Sequence, residues 1–287
     1  MPVSSIQLPI VRVNDDDLIK CADSLAIEEP LEIRLEYGPN ENRQVKNVSV
    51  TMRTPGNDDE LATGFLFTEG IIKSRRDIIS AEHRFIACNE NRENVIEVKL
   101  RENVVPNLSN TERNFYTTSS CGVCGKASIS AIKTVGAFEH NSTVNSIAVE
   151  TIYRLPEMLK QHQQVFADTG GLHASALFDQ QGRLLLVRED VGRHNALDKL
   201  IGAALTTDML PLDNHILLLS GRTSFELVQK AAMSGINMIA AVGAPSSLAV
   251  QLAEEFNITL IGFLRGKRFN IYTGERRVLM NAYEDTY

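Results

Sequence analysis

The sequence predicts an α/β protein in two parts, an α+β domain over residues 1–145 and an α/β domain over residues 146–287. Three observations carry this expectation. Residues 31–37 and 45–52 flank a Gly38-Pro39-Asn40 turn, and 31–37 alternates apolar and charged side chains, the two-residue period of a half-buried strand. Residues 215–264 alternate short apolar runs with helical stretches, the strand–helix rhythm of a parallel sheet with covering helices. Composition shifts after Asn141-Ser142-Thr143, which sets the boundary.

Taken in order, residues 1–15 read as extended, 31–37 as a strand and 45–52 as its returning partner. Asp58 and Asp59 precede a helix over 60–67, where acidic side chains suit the positive end of the helix dipole. Two further strands fall at 85–88 and 94–100. Residues 103–120 are polar and without period, a long loop of the kind that often carries function. Helical character resumes over 126–133. In the second half, 149–165 reads as a helix interrupted by Pro156. Strands at 173–178 and 183–188 flank Asp179-Gln180-Gln181-Gly182, a hairpin signal. Helices follow at 195–205, 223–234 and 246–256, and strands at 215–220, 237–242 and 258–264.

Bulk composition narrows the function classes. The 287 residues are 43% apolar, enough for a core without covalent staples. A formal charge of -7 argues against a nucleic-acid coat protein. Residues 1–7 lack the basic and apolar regions of a secretory signal, and no run of about 18 apolar residues offers a membrane span. With four cysteines and no signal, a reduced cytoplasmic setting is expected.

Two of those cysteines, Cys121 and Cys124, sit in Ser120-Cys121-Gly122-Val123-Cys124-Gly125, among small residues where a thiol can be reached and can move. Cys124 would fall just before a helix N-terminus, which favours a thiolate. A structural zinc site wants a second such pair, and Cys21 and Cys88 are isolated. A thioredoxin-like dithiol wants the pair directly after a central strand, whereas a polar loop precedes it here. Sulfur carriage as a persulfide also fits a low-pKa thiol on a mobile segment. Spacing alone leaves redox chemistry and sulfur carriage open.

The second half carries a pattern like that of the zinc nucleoside deaminases with the metal set missing. Their His-x-Glu and Pro-Cys-x-x-Cys positions read here His173-Ala174-Ser175 and Pro245-Ser246-Ser247-Leu248. The same residues also read simply as a glycine turn before a strand and an N-cap before a helix. Small-residue loops at Asp190–Asn195, Ser220–Ser224 and Gly243–Ser247 each follow an expected strand and precede a helix. Ligands of open α/β sheets bind at such carboxyl edges, and helix N-termini there suit phosphate. Arg222, Thr223 and Ser224 lie in one of these loops. Phe263, Leu264, Arg265, Gly266, Lys267 and Arg268 add three positive charges at the end of the last parallel strand. An anionic, nucleotide-like ligand is expected; a solvated basic turn is the plain alternative. His194 reads as a base or as a helix-capping residue.

Together, Ser120–Gly125, Thr169-Gly170-Gly171-Leu172-His173-Ala174, the run from Arg188 to Lys199, Ser220–Glu226 and Asn57–Leu66 resemble the FdhD family of formate dehydrogenase accessory proteins, in the family's order and over nearly the whole chain. The resemblance implies a sulfurtransferase. It would take sulfur from a cysteine desulfurase as a persulfide on Cys121, with Cys124 as helper. It would deliver that sulfur to the molybdenum or tungsten bis-molybdopterin guanine dinucleotide cofactor required by formate dehydrogenase. It further implies that residues 263–268 bind the guanine dinucleotide, that the C-terminal part has a cytidine deaminase-like three-layer fold without zinc, and that the protein is a homodimer. A non-catalytic chaperone that only presents the cofactor is the alternative; a nucleic-acid or membrane partner is not expected.

Overall fold

The computed structural model describes residues 3–84, 94–108, 138 and 146–280. The strand expected at 85–88, the pair Cys121 and Cys124, and the helix expected at 126–133 lie outside the described residues. Among the described residues no helix is long and apolar enough to cross a membrane.

The chain opens with a two-stranded antiparallel ribbon of β1 (Ser5–Asn14) and β2 (Asp17–Ala26). A four-stranded sheet follows, built from β3 (Glu29–Tyr37), β4 (Gln44–Arg53), β5 (Ile78–His83) and β6 (Val95–Leu100) in the order β4-β3-β6-β5. Its β3–β6 pair is parallel and the other pairs are antiparallel. The alternation in β3 buries Leu31, Ile33 and Leu35 on one face, as the period requires. Helix α1 (Asp58–Thr68) runs between β4 and β5, with Asp58, Asp59 and Glu60 in its first turn.

The second half begins with the short β7 (Ile147–Ala148), α2 (Val149–Lys160) and α3 (Gln164–Thr169). Pro156 does not interrupt α2, which continues through it to Lys160. One face of α2 buries Ile152, Leu155 and Leu159 against the sheet, and this burial outweighs the backbone hydrogen bond that proline removes. Then come β8 (His173–Phe178), β9 (Leu184–Asp190), α4 (Arg193–Thr206), β10 (Ile216–Leu219), α5 (Phe225–Met233), β11 (Met238–Ala241), α6 (Ser247–Glu255), β12 (Thr259–Arg265), β13 (Arg268–Thr273) and β14 (Val278–Leu279). The six-stranded order is β13-β12-β11-β10-β8-β9. The β10–β11 and β11–β12 pairs are parallel, as the sequence predicts, while β8, β9 and β13 add antiparallel edges.

Alternation along these strands sorts the core into two clusters. Ile216 and Leu218 of β10 join Ile152, Leu155 and Leu159 of α2 on one face. Leu217 and Leu219 join α4, α5 and α6 on the other. The result is three layers, helix, sheet and helices. The second cluster does not stop at position 145: it takes in Leu61 and Leu66 of α1 and Leu31, Ile33 and Leu35 of β3.

Helices α1 and α4 make that continuity possible. A β-carbon on Gly64 would collide with the Asp198 carbonyl, and one on Gly202 with the Glu60 carbonyl. Two glycines therefore let the helix backbones touch. Buried ions fasten the same crossing. Lys230 of α5 donates to Asp198 at 2.9 Å and to Thr68 at 2.9 Å, and Thr68 donates to Asp198 at 2.8 Å. Burial works against the Lys230 charge, but Asp198 and Glu69 hold its ammonium above the usual lysine range. At the end of β4, Arg53 grips Asp58 through Nε and Nη2, both at 3.0 Å.

Replacing Gly202 with alanine tests the crossing. In an ordinary helix this change stabilises by roughly 1 kcal/mol. Here the methyl meets backbone, so we expect a net loss of about 1–3 kcal/mol, read as a lower urea midpoint. A midpoint at or above that of the unmodified chain would refute the close approach.

Candidate functional site

The run Asp190–Lys199 divides by direction. Asp190, fully buried at the end of β9, accepts from Gly192 N at 2.8 Å, Thr54 N at 3.1 Å and Asn195 Nδ2 at 3.1 Å. It also pairs with Lys199 Nζ at 2.7 Å. Lys199 donates onward to the Thr54 carbonyl at 2.8 Å, and Asn195 to the Met52 carbonyl at 2.7 Å. These three side chains bolt the start of α4 to residues 51–54. Arg188, just before them, grips Glu60 of α1 through Nε and Nη2.

Arg193 and His194 instead stand at the first turn of α4, near the carboxyl ends of the parallel strands. The loops at those ends are zipped by backbone hydrogen bonds: Val242 N to Leu219 O at 3.0 Å, Gly243 N to Gly221 O at 3.1 Å, Thr223 N to Ala244 O at 3.1 Å, and Ser246 N to Thr223 O at 3.0 Å. Gly243 has to be glycine, because a β-carbon would press on the backbone of Gly221 and Arg222. Ser246 caps α6 by accepting from Ala249 N at 3.2 Å, and Gly170 ends α3 in the left-handed region. The turn and N-cap reading of these two segments is what the structure displays.

His194 does not cap its own helix. Its Nε2 lies 3.2 Å from Ser224 Oγ and 3.5 Å from Glu226 Oε2, tying α4 to the first turn of α5. The His194 contact pulls the Glu226 carboxyl down from 4.5 to about 2, against a partial desolvation. His173, on the first residue of β8, faces the same edge, 3.1 Å from where a Gly221 β-carbon would stand. Burial pushes its imidazole below the usual range, the nearby Arg193, His194 and Arg222 add to this, and Asp190 opposes. Positive charge thus converges on one edge of an acidic chain. The same neighbourhood holds buried polar atoms with no partner: Ser175 Oγ, Arg193 Nε, His194 Nδ1 and Thr223 Oγ1. Buried polar groups are ordinarily satisfied, and these four atoms are closed to solvent as well as unpartnered.

The sequence-predicted residues fall into groups. His194, Arg222, Thr223 and Ser224 do come together with His173 and Arg193. Phe263 reaches the edge through its backbone, donating to Gly243 O at 3.1 Å, and its φ of 55° marks the bulge between β12 and β13. Leu264 is turned into the core with Ile261 and Leu218, so its side chain is unavailable to a ligand. Arg265, Gly266, Lys267 and Arg268 are exposed on the β12–β13 hairpin, with Arg265 paired across to Arg268. Cys121 and Cys124 lie outside the described residues. Sequence reasoning missed Arg193 and Glu226. Arg193 was legible as a cation at a helix start, but Glu226 is just another acidic residue in a first turn until α4 and α5 meet.

With the fold, this edge defines the class: a three-layer α/β protein with a basic strand-end site. The FdhD/NarQ family model matches residues 26–279, and the chain belongs to that family. It is 48% identical over 272 residues to a protein named sulfur carrier protein FdhD from Mycobacterium bovis, covering 93% of this chain and 96% of the relative. A protein of the same name from Saccharolobus solfataricus is 43% identical, with 97% and 100% covered. In structure the chain is similar to a protein from Desulfotalea psychrophila described as a formate dehydrogenase accessory protein, with a TM-score of 0.71, 23% identity and 96% and 100% coverage.

The Glu226 contact makes a pH-dependent prediction. A carboxyl whose folded pKa is depressed contributes stability above its unfolded value and loses it as pH falls through the folded value. The Glu226→Gln variant should therefore be less stable than the parent above pH 4.5, with the gap closing as pH falls towards about 2. Urea midpoints across that range check it; a gap that stays constant counts against the contact.

Proposed function

We propose that this chain is a sulfurtransferase of molybdenum-cofactor maturation, working in the cytoplasm as a homodimer. It accepts sulfur from a cysteine desulfurase on Cys121 and passes it to molybdenum or tungsten bis-molybdopterin guanine dinucleotide, the substrate it holds for formate dehydrogenase. The observation that carries the reading is the strand-end cluster in which His173 lies against Gly221, next to Arg222, and His194 meets Ser224 at 3.2 Å, in a chain whose relatives are named sulfur carriers. A dinucleotide would bring phosphates to the arginines and helix starts of this edge. The exposed Arg265, Lys267 and Arg268 hairpin extends the positive field beyond the edge. The C-terminal half would be a deaminase-like framework without its zinc: Ser175 stands where a proton-shuttling glutamate would be needed, which favours binding over hydrolysis.

The sulfur step follows from thiolate chemistry. The Cys121 thiolate attacks the terminal sulfur of a donor persulfide, a new S–S bond forms on Cys121, and the donor thiolate leaves. Delivery as sulfide needs two electrons. Attack of the Cys124 thiolate on the Cys121 Sγ supplies them by closing a disulfide as the terminal sulfur departs.

Incubation with desulfurase and cysteine should add one sulfur, about 32 Da, to the parent and to Cys124→Ala, but not to Cys121→Ala. A gain retained in Cys121→Ala would move the carrier elsewhere. Full activation of formate dehydrogenase by a variant lacking both cysteines would favour the non-catalytic chaperone instead. Calorimetry checks the ligand: guanine nucleotides should bind at least about tenfold more tightly than adenine nucleotides, a difference of roughly 1.4 kcal/mol. Equal affinities would defeat the guanine assignment.

A further inference from the structure

The opening ribbon of β1 and β2 leaves apolar side chains in water. Its cross-strand pairs run from Ser5–Ala26 to Asn14–Asp17 without a shift, so residues opposite each other share a face. One face holds the pairs Ile6–Leu25, Leu8–Asp23, Ile10–Cys21 and Arg12–Ile19. On it Ile6, Leu8, Ile19 and Leu25 are between 42% and 49% exposed, and Ile10 and Cys21 are half-buried. The opposite face is the one that meets the body: at the base of the ribbon, the Ala26 β-carbon lies 3.6 Å from where a Gly171 β-carbon would stand. A two-stranded ribbon is marginal by itself, and a contiguous apolar face on one marks a contact surface. We propose that this face packs on the same face of a second copy of the chain, the two ribbons antiparallel about a two-fold axis at the Ile10–Cys21 pair. This rests on the homodimer proposed above and gives it a surface.

The charges on the face indicate what covers it. Away from the turn there are two, Arg12 and Asp23, on opposite strands and one pair to either side of Ile10–Cys21. Within the ribbon they reach each other along the diagonal, 3.8 Å apart. The face is therefore apolar and locally neutral, and a partner carrying net charge gains nothing from it. A two-fold axis across the ribbon at Ile10–Cys21 exchanges the ends of that diagonal, setting Arg12 of each copy over Asp23 of the other. Self-complementarity of this kind is what an isologous interface requires. The same axis brings the two Cys21 side chains together across the interface, where stacked sheets stand about 10 Å apart.

Sedimentation of the full chain tests this with two variants. Arg12→Asp leaves only acidic side chains at these two positions and Asp23→Arg only basic ones, so each should weaken self-association by at least about tenfold. Mixed in equal amounts, the two variants should associate as tightly as the parent, because acidic positions then meet basic ones. Only contact between copies predicts that recovery. Both positions are half exposed, and a measurement on the parent serves should a variant not fold: a short bismaleimide should link Cys21 to Cys21, read from the mass of the joined peptides. A parent that is monomeric at every concentration, as docking of an unrelated protein on the face predicts, would overturn the homodimer and this surface together. A dimer that survives in both single variants, a mixture that does not recover, or a dimeric parent without the Cys21 link would overturn the surface and leave the homodimer standing.

Discussion

The contact of α1 with α4 is the constraint on which the other parts depend. Helix axes normally stand about 8–10 Å apart because side chains separate them. Gly64 and Gly202 remove the separation at this crossing, and each backbone fills the space the other leaves. Once the helices are that close, polar groups along them are sealed from water and must find partners in each other. That explains why Asp198, Lys230, Thr68 and Glu69 join in one network, and why Glu60, whose carbonyl meets Gly202, uses its carboxylate on Arg188. Removing Lys230 would leave the buried Asp198 carboxylate without its counter-ion, a cost that disfavours any packing in which the two do not meet.

From the crossing, order passes directly to the strand-end edge. The first turn of α4 is fixed at two places, by the α1 contact one or two turns on and by Asp190, Asn195 and Lys199 at its start. Arg193 and His194 have little freedom left, and His194 is further held by Ser224 and Glu226. A basic site built on a helix start anchored in this way is preorganised, and a ligand would not have to order it. The four-stranded sheet contributes through the end of β4, which supplies the residues at 52–54 that Asp190, Asn195 and Lys199 grasp.

The parts of this arrangement visible in the sequence are those where one residue's neighbours decide its role. Strands β3 and β10 were legible because burial on one face, or both, writes a local pattern, and Asp179–Gly182 because turn chemistry is local. The ribbon strand β2 was not, since Leu18, Ile19 and Leu25 are all exposed and no buried face imposes a period. Strand β13 was legible in principle from Phe269 and Ile271 alternating with polar residues, but the basic turn at Gly266 and Lys267 drew the eye as a ligand segment. At the site, Arg193 and Asp190 look alike in the sequence, as charged residues around a glycine. Only the distant Thr54 and Lys199 determine that one is fully engaged and the other is not.

That difference between engaged and unengaged polar groups is the most direct guide to function in this molecule. An unsatisfied buried donor or acceptor costs about 1–3 kcal/mol, so a stable chain keeps few of them. Asp190 takes four partners and reads as structural, however suggestive its place beside a glycine loop. Ser175, Thr223, Arg193 and His194 each keep an atom in reserve on one edge, and Arg277 and His215 keep theirs on the opposite one. The two groups lie at opposite ends of the same parallel strands, and no described side chain is shared between them.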